Sequence, residues 1–107
     1  VNHGNLLDDV PAALAGEDLR TLLTTPDLWI ERIVSTGQAS PPGFWYDQDW
    51  AEWVLLLTGQ AALLVEGEAA PHVLTPGSYL HLPAHCRHRV EWTSTETPTV
   101  WLAVHHR

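Results

Sequence analysis

Between Pro83 and Trp92 the chain reads PAHCRHRVEW, and this stretch gathers two histidines, the only cysteine and two arginines. Imidazoles titrate near neutrality, bind divalent metals and move protons. Three readings follow: a metal site, an acid–base site, or a polar turn that leads into a strand. If residues 88–93 form a strand, side chains two apart share a face. His88 then travels with Val90 and Trp92, while Arg89 and Glu91 take the other side. That puts His88 on an apolar face and favours a functional role for it. His85 lies in the preceding turn, where spacing alone does not bring both imidazoles to one ion. Capping that turn, or bonding a buried backbone group, is its plainer role.

A second candidate opens the run EWVLLLT, where alternation places Glu52, Val54 and Leu56 on one face and Trp53, Leu55 and Leu57 on the other. A carboxylate in an apolar strand is costly unless paired. His88 or a metal ion would pair Glu52. Cys86 has no partner in the chain, so no internal disulfide forms, and nothing marks it as a lowered-pKa nucleophile. Arg87 and Arg89 can recognise a carboxylate, but flanking charges of this kind are usually solvated. His81 faces away from Leu80 and Leu82 and is expected outside. Surface polarity accounts for His3, His72, His105 and His106.

These side chains must be positioned by short strands. From residue 28 onward, apolar runs alternate with turn residues at the density of a sandwich or barrel. Strands are expected at residues 28–35, 44–47, 52–58, 60–66, 72–74, 78–82, 88–93 and 99–105. The punctuation is Pro41-Pro42-Gly43, Gly59, Glu66-Gly67, Thr75-Pro76-Gly77, Pro83 and Pro98. Ahead of them, GEDLRTLLTTPD has an acidic first turn, leucines 19, 22 and 23 at helical spacing, and a stop at Pro26. It predicts one short helix. Residues 1–27 are therefore expected to cap a barrel formed by residues 28–107.

The length of 107 residues suits a single domain with one core. Thirteen acidic side chains face five arginines and no lysine, for a formal charge of -8. That balance repels nucleic acid and anionic membrane surfaces, and the missing lysine removes Schiff-base chemistry. No stretch approaches the roughly 20 apolar residues of a membrane-spanning helix, and the N-terminal residues carry no signal core. A cytoplasmic protein is the expectation. The strand at 52–58 is apolar on both faces. With Ala62 and Leu64 on the next strand, it predicts an apolar outer face of a central hairpin and hence a homodimer.

The segment from Gly37 to His105, about two thirds of the chain, resembles a small single-domain cupin. The second cupin motif reads G-x5-P-x-G-x2-H-x3-N. Gly77, Pro83 and His88 fall at that spacing, with His85 in place of the second glycine and Trp92 in place of the asparagine. Glu52 and Gly59 match the end of the first motif, G-x5-H-x-H-x3,4-E-x6-G. Neither histidine of its H-x-H is present: Tyr46 and Gln48, or Trp45 and Asp47, stand there. The resemblance implies an all-β fold, a double-stranded β-helix or jelly-roll barrel, here with the short N-terminal helix added. It also implies one divalent ion, Fe, Mn, Ni or Zn, inside the barrel. Carried over, Glu52 and His88 are ligands and Asp47 is the best third. Tyr46 or His85 would then move a proton or orient substrate, and Gln48, Trp45 and Trp92 would line the substrate pocket. Isomerase, oxygenase and lyase chemistry all remain open. The alternative is a metal-free cupin that binds or senses a small molecule without catalysis.

Overall fold

Short apolar runs cut by Gly and Pro leave the backbone few ways to satisfy its hydrogen bonds except antiparallel pairing. The computed structural model, which describes residues 1–107, follows that logic throughout. It has eight strands and no helix: β1 Asp18–Thr25, β2 Leu28–Ser35, β3 Ala51–Thr58, β4 Ala61–Val65, β5 His72–Leu74, β6 Tyr79–Leu82, β7 His88–Thr93 and β8 Thr99–His106. Five form one sheet in the order β1-β2-β8-β3-β6, and three form the other in the order β5-β4-β7. Every pairing is antiparallel. The sheets face one another over Val54, Leu56, Leu63, Leu74, Leu82 and Trp101, a jelly-roll barrel with its core between the layers.

Three expectations need correction. The predicted helix is strand β1, which pairs with β2 from Asp18↔Val34 to Thr25↔Leu28. Without it β2 would be an edge with unsatisfied backbone groups, and Thr21, Thr24 and Thr25 suit a strand. The register slips between Thr21 and Leu23. Leu19, Leu22 and Leu23, which a helix would have lined up against the core, stay 62%, 39% and 46% exposed.

The expected strand at 44–47 is reduced to one bridge. The Tyr46 N–H donates to the His88 carbonyl at 2.7 Å, and the His88 N–H donates back at 3.2 Å.

Nor do β3 and β4 make a hairpin. β3 lies between β8 and β6, whereas β4 lies between β5 and β7. Ala62 and Leu64 therefore share no face with Trp53 and Leu55. The chain changes sheet at Gly59, whose φ of +83° favours glycine, and where an added Cβ would sit 2.6 Å from Thr99 Cα.

The N-terminal loop wraps the outer face of the larger sheet. Arg32 is 1% exposed there. Its guanidinium donates to the carbonyls of Leu6 and Asp8 at 3.2 and 2.6 Å, and lies 3.5 Å from the Asp18 carboxylate.

Candidate functional site

On the inner faces, strand alternation delivers polar side chains from four elements into one cavity of about 180 Å3. β3 contributes Glu52, β7 contributes His88, β8 contributes His105 and β2 contributes Glu31; Tyr46 and Gln48 enter from the loop between β2 and β3. Glu17, just ahead of β1, and Leu19, near its start, reach its mouth. The remaining wall is apolar, with Ile33, Val54, Leu63, Val90 and Trp101.

His88 is 5% exposed, and its Nδ1 lies 2.8 Å from the Cys86 carbonyl oxygen. A carbonyl only accepts, so Nδ1 carries the proton and Nε2 is left facing the cavity. Nε2 lies 3.5 Å from Glu52 Oε1, and the Tyr46 ring stacks on the imidazole with centroids 5.3 Å apart. Burial alone would lower the His88 pKa, but the long contact to Glu52, the Cys86 carbonyl and the Glu52 charge together raise it above 6.5.

A second imidazole–carboxylate pair stands beside the first. His105 Nε2 donates to Glu31 Oε1 at 2.9 Å and lies 3.9 Å from Glu52 Oε2, while the Trp29 ring stacks on the imidazole at 4.0 Å. His105 Nδ1 is buried without a partner. Glu17 is held by the Ser35 hydroxyl, which in turn accepts the Trp101 indole N–H at 3.1 Å. The Tyr46 hydroxyl stays protonated to higher pH than an ordinary tyrosine, because burial and then the charges of Glu17, Glu52 and Glu31 disfavour the phenolate.

The residues expected at the site divide cleanly. Glu52, His88, Tyr46 and Gln48 line the cavity. Asp47 does not: its carboxylate is 2.8 Å from His85 Nδ1, and both side chains are about half exposed or more. His85 is thus a rim residue, its other nitrogen 3.6 Å from Asp49. Its φ of +61° explains why the family motif has glycine there. Trp45 stands outside as well, 5.9 Å beneath the Arg87 guanidinium.

Trp92 is turned outward by a bulge. Leu63 pairs with Val90, yet Ala62 pairs with Trp92, so Glu91 is an extra residue that breaks the alternation. Trp92 ends up 40% exposed on the outer surface.

His105, Glu31, Glu17 and Trp101 were missed. Alternation along residues 99–105 places Trp101, Ala103 and His105 on one face, a signal that could have found the histidine. Glu31 could have been found the same way, between Trp29 and Ile33. Nothing in the sequence brings Glu17 to the mouth.

The donor set, two imidazoles and two carboxylates, is chemically suited to a divalent ion. Its arrangement is not. No three His, Cys, Asp or Glu side chains gather to hold a metal ion. His88 and Glu52 face each other, His105 is committed to Glu31, and Asp47 to His85. The side chains as placed form acid–base pairs and not a coordination shell.

A family model described as the cupin domain matches residues 32–105. A solved structure from Ralstonia eutropha JMP134, provisionally named a mannose-6-phosphate isomerase, is 56% identical. The match covers 99% of this chain and 98% of that one, with a TM-score of 0.98. A structure from Thermus thermophilus is 18% identical, covers 99% and 97% of the two chains, and has a TM-score of 0.81. An RmlC-like cupin from Desulfovibrio desulfuricans is 17% identical, covers 98% and 96%, and has a TM-score of 0.75. These last two share the fold. No curated protein matches the chain. With two facing antiparallel sheets, Glu52 and His88 at the motif positions, and a family match across residues 32–105, the chain belongs to the cupin-domain family.

Proposed function

We propose that the protein binds a small organic molecule in the barrel cavity and moves a proton on it, in the manner of an isomerase. The observation that carries this reading is the His88–Glu52 pair, whose Nε2 faces the cavity while Nδ1 is anchored on the Cys86 carbonyl. A buried imidazole held in one tautomer beside a carboxylate can take a proton from substrate and return it. Tyr46, kept neutral, supplies a hydroxyl donor for an oxygen on which charge develops. His105, donating to Glu31, widens the same acid–base wall. The isomerase name borne by the Ralstonia eutropha structure agrees in reaction type.

The test follows solvent deuterium into the carbon next to the carbonyl of small hydroxyaldehydes, hydroxyketones and aminoketones, read by proton NMR. Exchange should depend on the protein and fall at least tenfold in His88→Ala and Glu52→Gln. No exchange on any probe, or exchange indifferent to both substitutions, overturns the reading.

A second reading, one divalent ion, rests on Glu52 and His88 standing where the family places ligands. Zn, Mn, Ni and Fe(II) titrated into chelator-stripped protein decide it. Saturable binding of one ion, lost in both variants, would establish that reading in place of the first.

A homodimer is proposed through the β3 and β8 part of the larger sheet's outer face, beside the N-terminal loop that covers Arg32 on β2. There Trp53 pairs with Val104 and Leu55 with Leu102, leaving apolar side chains only partly buried.

A further inference from the structure

The cavity combines a negative lining with apolar walls. Three carboxylates, Glu17, Glu31 and Glu52, face two imidazoles, so even full protonation of His88 and His105 leaves a negative charge unmatched. No fixed positive charge offsets it. The chain has no lysine, and every arginine is engaged or directed elsewhere. Arg32 is bound by the N-terminal loop, and Arg20 lies with it in a separate surface cleft. Arg87 pairs with Glu66, Arg89 reaches the Ser40 carbonyl, and Arg107 covers Trp50.

Glu52 points independently to a ligand. It is 9% exposed and lines the cavity, yet its nearest basic groups, His88 Nε2 at 3.5 Å and His105 Nε2 at 3.9 Å, are too distant for a good hydrogen bond. A buried carboxylate left this way gains most from a charged N–H donor. The dispersed placement of the carboxylates, with Val54, Leu63, Val90 and Trp101 between them, suits an organic cation with an apolar body better than a bare ion. The volume, about 180 Å3, is below the roughly 300–1,000 Å3 that encloses drug-sized ligands. The raised pKa of Tyr46, caused after burial by Glu17, Glu52 and Glu31, reports the same negative field.

We infer that the barrel cavity takes a small organic amine in its ammonium form and excludes phosphorylated ligands. The inference rests on the proposed binding role of the cavity and names its ligand class. It separates this chain from a sugar-phosphate substrate: a phosphate here would meet three carboxylates and no arginine or lysine.

Three probes with the same body and different charge test it: 1-butylamine, 1-butanol and butyl phosphate. Each is titrated at neutral pH while the Trp101 indole and His88 ring signals are followed by NMR. The amine should bind at least tenfold more tightly than the alcohol, and the phosphate should leave both signals unmoved. Glu17→Gln keeps a hydrogen-bond acceptor for Ser35 and should weaken the amine three- to tenfold without affecting the alcohol. Equal binding of amine and alcohol, or binding of the phosphate, overturns the charge inference while the cavity remains a binding site. No response to any probe overturns both. Amine binding without deuterium exchange leaves the ligand class standing and removes the proton-transfer reading.

Discussion

Replacing Glu52 by glutamine probes the pair at the centre of the cavity. The His88 and Glu52 side chains are 7% and 11% exposed, with Nε2 3.5 Å from Oε1. Two unit charges at that separation attract by roughly 5 kcal/mol at an effective dielectric of about 20. Desolvation offsets much of this, and 3.5 Å is longer than a good hydrogen bond, which leaves about 1 kcal/mol. Burial pulls the His88 pKa down, and Glu52 with the Cys86 carbonyl pulls it up further, so the folded value lies above 6.5. A histidine raised in this way adds stability that is fully present below its unfolded pKa and lost as pH rises through the folded one. In Glu52→Gln the carboxylate contribution disappears and burial remains, so the His88 titration shifts down. The variant should lose about 1 kcal/mol near pH 5.5. Near pH 8.5, where a neutral imidazole gives Glu52 little in the native protein, it should lose much less. Urea unfolding at both pH values and NMR titration of the His88 ring measure the two effects. An unmoved His88 titration, or an equal loss of stability at both pH values, would refute the reasoning.

Gly59→Ala should be among the most damaging single changes. It forces a side chain into φ +83° with its Cβ 2.6 Å from Thr99 Cα, and about 3 kcal/mol or more should appear as a lowered urea midpoint. Tyr46 should ionise at higher pH than an ordinary tyrosine; because folding raises its pKa, its contribution to stability is present below the unfolded value near 10 and lost as pH rises through the folded one. Ultraviolet difference titration of Tyr46→Phe against the parent checks this, and an unshifted Tyr46 would contradict it. Sedimentation at micromolar concentration should give about twice the chain mass, and Trp53→Glu should give the monomer. A parent that sediments as a monomer would remove the dimer.

How much of this could be read in advance depended on the range of the determining interaction. Local rules placed seven of the eight strands close to their observed positions, because turn residues and two-residue alternation act within a few positions of the chain. They also put Glu52 and His88 on inward faces, since the alternation holds from Glu52 to Leu56 and from His88 to Val90, ahead of the irregularity in each strand. The family spacing of Gly77, Pro83 and His88 belongs to the same class of information.

Interactions between distant segments decided the rest. The leucines of residues 19–23 fit a helix by spacing, but the open edge of β2 recruited that segment as β1. One bulge opposite Ala62 and Leu63 sent Trp92 outward, and alternation cannot foresee an inserted residue. The left-handed turn at His85 drew Asp47 away from the cavity. His105, read from sequence as surface polarity, became a buried wall of the site because β8 runs between β2 and β3, which places Glu31 and Glu52 on either side of it. The sequence by itself determined which residues could carry chemistry and which way a regular strand would point them. Only the tertiary structure decided which carboxylate each imidazole meets, because those partners lie up to 74 positions apart and are joined by sheet order, which no local pattern encodes.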